Sequence, residues 1–217
     1  MIRIENLSKT YNGREYVLKE INLEIAQGSY VEIVGKSGSG KSTFLNTLGL
    51  LDSDYEGKIF FDDIDISEQN DEAVSRIRNE RIGFIFQAYH LIPHFTVMEN
   101  ILLPVAYSHS TRTGTNMDRV KELTNQLQIT HLMNQRIDYL SGGEKQRAAI
   151  ARALVLSPEI VLADEPTGNL DSSNSEIVFQ TLSELKKEGT TVILVTHNCY
   201  VDVGADSILT LEKGRFV

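Results

Sequence analysis

Val34-Gly35-Lys36-Ser37-Gly38-Ser39-Gly40-Lys41-Ser42-Thr43 is the stretch on which the reading of this 217-residue chain turns. It leaves the short apolar segment Tyr30 to Val34, which has the composition of a buried strand, and enters the helical pattern Phe44, Leu45, Leu48. Between them stands Gly-x-x-x-x-Gly-Lys-Ser, the phosphate-binding loop pattern, in its proper strand–loop–helix setting. The chemistry needs these residue types. Glycines let the backbone curl until successive N–H groups face one anion. The positive end of the following helix adds to that site. The whole loop, Gly35, Lys36, Ser37, Gly38, Ser39, Gly40, Lys41, Ser42 and Thr43, is therefore expected to hold a nucleotide's phosphates. Lys41 would reach the β- and γ-phosphates, and the Ser42 hydroxyl would ligate Mg²⁺. The competing reading is a glycine-rich turn. Chance matches occur in on the order of 1% of chains this long, and the strand–helix context lowers that further.

Working outward, Ile160-Val161-Leu162-Ala163-Asp164-Glu165-Pro166 is an apolar strand ending in two carboxylates. Ligands of open α/β sheets gather at the carboxyl ends of strands. Asp164 is placed to hold Mg²⁺ and Glu165 to polarise a water for attack on the γ-phosphate. Alone this could be a solvated acidic turn; beside a phosphate loop it is a strong signal. Apolar runs at Lys58 to Phe61, Ile82 to Phe86 and Thr191 to Val195 alternate with helical patterns at Gly142 to Leu156 and Ser173 to Lys187. That alternation implies an α/β fold with a mostly parallel sheet. Met1 to Thr10 and Val17 to Ile25 read as strands joined by turn residues. Residues 87–139 are polar and helix-like, clearest at Asp118 to Gln128, and read as a helical insertion. Ser108 to Asn116 reads as an exposed loop.

Composition narrows the function. The formal charge of −9 opposes nucleic-acid binding, which needs a basic stripe. The single cysteine, Cys199, forms no internal disulfide and reads as a small, partly buried apolar residue. The N-terminus lacks a signal-peptide core, and no apolar run reaches membrane-spanning length. A cytoplasmic protein is expected.

Leu140-Ser141-Gly142-Gly143-Glu144, 20 residues before the acidic pair, resembles the LSGGQ-type signature of ABC (ATP-binding cassette) ATPases, with Glu in the last position. Ser141, Gly142 and Gly143 open a helix and so present donors to an anion; an ordinary capped helix start would look similar. The remaining family elements match in order. Gln87 resembles the Q-loop glutamine, a contact to Mg²⁺ or its water and a coupling hinge. Asp171, in Asn169-Leu170-Asp171, resembles the D-loop. His197 resembles the switch histidine at the γ-phosphate, and Tyr11 the aromatic that stacks on adenine. The resemblance runs from Tyr11 to Gly214. It implies a P-loop ATPase core with an N-terminal antiparallel β-subdomain and an inserted helical subdomain, all one nucleotide-binding domain over 1–217 (core 1–86 and 140–217, helical part 87–139). It also implies ATP hydrolysis in a head-to-tail homodimer around two ATP molecules.

Glu165 to Asp171 and Gln87 to Asn100 resemble one branch: macrolide-export, lipoprotein-release, antimicrobial-peptide-resistance and cell-division ATPases. That likeness implies a separate membrane permease with a large extracytoplasmic domain and a peripheral position on the inner face of the cell membrane. Export, mechanotransmission, and regulation of cell-wall remodelling or peptide-stress signalling stay open. Less favoured rivals are a soluble ABC ATPase acting on DNA or ribosomes and a small-metabolite kinase. Leu91, Ile92, Phe95 and Met98 are candidates for a permease-docking groove, with about two of the four expected in the core. His90 and His94 flank Pro93, which opposes a helical metal pair.

Overall fold

Residues 1–108, 116–197 and 204–217 are described by a computed structural model. Its strands sort into two sheets. The first is antiparallel, order β2-β1-β4-β5, built from β1 (Ile2–Thr10), β2 (Tyr16–Ile25), β4 (Glu56–Phe61) and β5 (Ile64–Asp65). The simple alternation read along β1 breaks at Asn6, whose φ of 51° lies in the left-handed region and whose neighbourhood shifts register against β2. Beyond it Leu7, Ser8 and Lys9 are all buried. A bulge supplies the extra residue that period-2 reasoning lacks. Lys9 tolerates burial because its Nζ pairs with Asp52 at 2.8 Å and with the Asp54 carbonyl.

The second sheet has six strands, order β10-β9-β3-β8-β7-β6. Four of them, β3 (Tyr30–Val34), β6 (Ile82–Ile85), β7 (Ile160–Asp164) and β8 (Thr191–Thr196), run parallel, and β9 (Ser207–Glu212) runs parallel to β3. The sixth, β10 (Arg215–Phe216), turns back antiparallel on β9. Side-chain alternation sends the two faces of this sheet into different cores. Val31, Ile33, Leu162 and Ile193 meet the antiparallel sheet across α1 (Lys41–Leu48), with Phe44, Leu45 and Leu48 between. Tyr30, Val161, Ala163, Val192 and Leu194 face a helical layer. That layer contains α3 (Val97–Ala106), α4 (Asn116–Gln126), α5 (Gly142–Leu154) and α6 (Ser172–Lys187). The fold is thus the expected mixed α/β P-loop architecture.

Helix α2 (Asp71–Arg81) escaped the sequence reading. None of its residues is fully buried, and only Val74 and Ile77, both partly exposed, pack against the core, so its apolar stripe is too narrow to stand out. Its start is set by Asn70, whose side chain accepts from Ala73 N at 2.9 Å. Most of the stretch read as an exposed loop, 109–115, lies outside the described residues, as does Cys199.

Candidate functional site

Four parallel strands deliver the site, each from its carboxyl end. After β3 comes the loop from Gly35, after β6 comes Gln87, β7 ends in Asp164 and Glu165, and after β8 comes His197. Gln87, Asp164, Glu165 and His197 line one cavity of about 230 Å³ together with Val17, Ser37, Gly38, Gly40, Lys41, Ser42 and Thr43, while Gly35, Lys36 and Ser39 of the loop are outside that lining. Five elements far apart in the chain therefore meet where ligands of parallel sheets bind.

Local backbone geometry explains the loop. Gly40 caps α1 with φ 107°, and a Cβ there would stand 2.9 Å from the Val17 carbonyl oxygen. Any other residue would be both strained and crowded. With Gly40 in that conformation the first N–H groups of α1, which have no partner inside the helix, open onto the cavity. Lys41 is 6% exposed. Its ammonium donates to the carbonyls of Gly35 at 2.8 Å and Lys36 at 3.2 Å. Burial pulls its pKa down, while Glu165 and Asp164 push the other way. A buried cation beside backbone donors is what a polyphosphate requires. The Ser39 hydroxyl, also buried in the loop, has no hydrogen-bond partner among the described residues.

Glu165 is the strained member. Its φ of 46° places a non-glycine residue in the left-handed region. The turn is held by Glu165 N donating to the Val195 carbonyl at 2.9 Å and by Gly168 N donating to the Glu165 carbonyl at 3.1 Å. Strain of this sort persists where surrounding structure imposes it, often at reacting centres. Burial raises the carboxyl's pKa; His197 and Lys41 lower it, and Asp164 raises it again. Oε2 faces the Thr196 hydroxyl at 3.5 Å. Oε1 is buried without a hydrogen bond, and His197 Nε2 stands 3.3 Å from it at ion-pair distance. His197 Nδ1 lies 3.1 Å from the Gly35 carbonyl and 3.3 Å from Lys41 Nζ. It can donate to the first or accept from the second, so the tautomer selects one contact. Ser42, Gln87 and Asp164 bring a hydroxyl, an amide and a carboxylate to the same cavity, an oxygen-donor set suited to a hard divalent cation.

Other predicted site residues lie apart from this cavity. Tyr11 is 63% exposed. Its hydroxyl is 3.5 Å from Thr43 Oγ1, and Lys9 Nζ sits 4.8 Å from its ring centroid. Ser141, Gly142 and Gly143 do not line the cavity; they start α5. Ser141 caps that helix, and Glu144 returns to Ser141 N at 2.8 Å and Oγ at 2.7 Å. These contacts, side chain before backbone, hold the Glu144 carboxyl below the ordinary range. Glu in the last signature position is therefore explained locally as the second half of a capping box. Asp171 caps α6 through Asn174 N at 2.9 Å. Thr196 and Val17 went unnoticed in the sequence, because a strand-end Thr and a β-strand Val carry no pattern of their own.

A second cavity of about 670 Å³ opens beside the edge strand β6. Arg76, Arg78, Phe84, Phe86, His90, Tyr107 and Arg152 are among its lining, which among the described residues contains no carboxylate. Phe84 and Phe86 stack with centroids 5.3 Å apart. Arg152 donates to the Tyr89 carbonyl at 2.7 Å and to that of His90. The expected groove residues Leu91, Ile92, Phe95 and Met98 do not line it. Leu91 packs on the helical core instead, while Ile92 and Phe95 stay exposed. The left-handed pair Tyr89 (φ 60°) and His90 (φ 49°) turns the chain away between the two groups. His94 Nδ1 faces Arg136 at 3.1 Å, while His90 lies on the Phe86 ring.

Residues 18–168 match the family model described as ABC transporter. The chain is 43% identical to the lipoprotein-releasing system ATP-binding protein LolD of Geobacter metallireducens, over all of this chain and 98% of that protein. It is 37% identical to the macrolide export ATP-binding/permease protein MacB of Campylobacter jejuni, over all of this chain but 34% of that longer protein. Among solved structures it resembles the dimeric post-hydrolysis state of the ATP-binding cassette MJ0796 of Methanocaldococcus jannaschii, bound to ADP and Pi. There the TM-score is 0.91 at 39% identity, covering all of this chain and 96% of that one.

Proposed function

This chain belongs to the ABC transporter family, as an ATP-binding and ATP-hydrolysing cassette subunit, and from that premise we propose how its residues divide the work. The observation that carries the proposal is the convergence of Lys41, Ser42, Gln87, Asp164, Glu165 and His197 on one cavity at the strand ends. The loop Gly35 to Thr43 cradles the phosphates of ATP. Lys41 leaves the carbonyls of Gly35 and Lys36 to neutralise the β- and γ-phosphates. Glu165 orients the attacking water and takes its proton as the water oxygen bonds to the γ-phosphorus. The bond from that phosphorus to the bridging oxygen breaks, releasing ADP and phosphate. His197 donates a hydrogen bond to the γ-phosphate and fixes the Glu165 carboxylate on its other side. Tyr11 stacks on the base.

Ser42, Gln87 and Asp164 are the residues that would hold Mg²⁺. When bound, the ion neutralises charge between the β- and γ-phosphates.

Two copies associate head to tail. Ser141, Gly142, Gly143 and Asp171 face the partner subunit's nucleotide, which accounts for their standing away from their own chain's cavity. Residues 87–139 form the helical arm that carries them against the core of 1–86 and 140–217. The dimer works on a separate membrane permease with a large extracytoplasmic domain, from the cytoplasmic face of the membrane. The groove at β6 receives a short segment of that permease. Its arginines, unopposed by any carboxylate in the lining, call for an acidic segment with an apolar side to meet Phe84 and Phe86.

Glu165→Gln tests the core of this reading. Hydrolysis should fall by about 10²-fold or more, the usual worth of a general base, while ATP is retained and a dimer accumulates. Purification of this variant with ATP from solubilised membranes should bring down a membrane protein. A variant that hydrolyses ATP at the normal rate would remove Glu165 from its role. Recovery of ribosomal or DNA-repair proteins alone would overturn the membrane partner and leave the ATPase chemistry standing.

A further inference from the structure

The two segments that stand apart from the cavity are tied to each other. Arg147, one turn into α5 from the signature, donates from Nη1 to the Asn174 side-chain oxygen. The Asn174 amide nitrogen in turn donates to both carboxylate oxygens of Asp171, each at 2.9 Å, while its backbone N–H donates to Oδ1. One asparagine side chain thus uses its acceptor on the signature helix and its donors on the residue that ends the loop after Glu165. The fit is close. A Cβ on Gly143 would lie 2.6 to 2.7 Å from the Asn174 amide atoms, nearer than side-chain carbons approach one another. The second glycine of the signature is therefore required here by Asn174, whatever it also offers an anion. Arg147 Nε is buried without a hydrogen-bond partner among the described residues, and its side-chain hydrogen bond goes to Asn174. Ser173 Oγ adds a further bond to Asp171 Oδ1 at 2.9 Å.

We infer that Asn174 is a positioning residue that locks the signature helix and the Asp171 loop into one rigid unit, so that both reach the second copy's nucleotide site in fixed relation. This rests on the head-to-tail dimer of the proposed function. The physical ground is that α5 and α6 start at this point, and a helix start is the least constrained part of a helix. Without the amide bridge each start would still be capped, by Ser141 and by Asp171, and the helices would still share a core, but the direct side-chain link between the two starts would be lost. Binding of ATP to the chain's own phosphate loop needs neither segment, whereas closure and hydrolysis need both.

The test uses Asn174→Ala and, from the other end of the link, Arg147→Gln, which leaves the Asp171 cap intact. ATP affinity of the monomer, read with a fluorescent ATP analogue, should stay within about twofold. Steady-state kcat should fall at least tenfold for each variant. The double variant should lose no more than either single one, as expected when both remove one shared interaction. In the Glu165→Gln background, sedimentation should show the ATP-dependent dimer weakened at least tenfold by Asn174→Ala. Unchanged kcat and dimer affinity in a folded variant would overturn the inference. So would additive losses, or a loss of monomer ATP affinity that matches the loss of rate, since a merely structural role would produce either. Should Asn174→Ala not fold, Arg147→Gln decides alone. If Glu165→Gln with Asn174 intact fails to dimerise, the dimer reading itself fails, independently of the outcome at Asn174.

Discussion

At the scale of single residues the proposed chemistry would rest on one carboxylate, Glu165, whose surroundings bias its ionisation. Burial raises the Glu165 pKa, and Asp164 adds to the rise; His197 and Lys41 oppose it. A general base works only when deprotonated, so activity must fall as the pH drops through that raised value. The acidic limb of kcat/KM for ATP should therefore lie above the usual glutamate value of about 4.3. His197→Ala removes a neighbour that favours the ionised form, so the limb of its residual activity should move to higher pH. A limb unmoved by this change, followed in a steady-state pH profile, would separate the two side chains that stand 3.3 Å apart. The residue types of this site were legible in the sequence because phosphate chemistry leaves few alternatives to Gly, Lys, Ser and Asp/Glu at fixed spacing. Other features were not legible. Asn174 accepts from Arg147, 27 residues away, and the buried Lys9 donates to Asp52 and Asp54, 43 and 45 residues away. No local pattern encodes a partner that distant.

Elements differ in how plainly the sequence announces them, for physical reasons. Strands buried on both faces, such as β3, β7 and β8, announce themselves as unbroken apolar runs, and their observed limits lie within a residue of the expected ones. Helix α4 was expected from Asp118 to Gln128 and spans Asn116–Gln126. The chain leaves it at Gln128, whose φ of 56° no helix continues through. Helix α2 has only Val74 and Ile77 against the core, both partly exposed, which is too little periodicity to read. Helix α5 shows what a cap decides. Ser141 and Glu144 satisfy two of the N–H groups that a helix start leaves open. Glu144→Ala removes half of this box without touching Ser141, and chemical denaturation should show a loss of about 1 kcal/mol at neutral pH. The sign of the pH dependence follows from the depressed carboxyl. Its contribution is present above the unfolded value of about 4.3 and disappears as the pH falls through the lower folded one. Wild type and variant should therefore converge in acid; a difference that persists there would point to packing.

At the scale of the whole molecule one groove departs from the sign of the net charge. The chain carries a formal charge of −9, yet the lining of the groove beside β6 has three arginines and no carboxylate. Arg78 is engaged by the Leu50 carbonyl at 2.7 Å and Arg152 by the carbonyls of Tyr89 and His90. Both therefore shape the groove as well as charge it. Arg76 is exposed on its rim and is the one of the three whose charge can be changed without breaking such a bond. On the proposed docking, an acidic segment approaching a chain of net charge −9 would meet three arginines in this lining, which would favour both partner and orientation. Arg76→Glu should then weaken capture of the membrane subunit by about tenfold, and most at low ionic strength, where screening is least. Arg76→Lys keeps the charge and should bind nearly as well as wild type. The comparison is made by co-purification from solubilised membranes at about 0.05 M and 0.3 M salt, spanning the range over which surface charges become screened. Equal capture by both variants at both concentrations would mean that the permease reads the shape of the groove and not its charge. Equal loss with both would mean that the arginine's planar donors matter more than its sign.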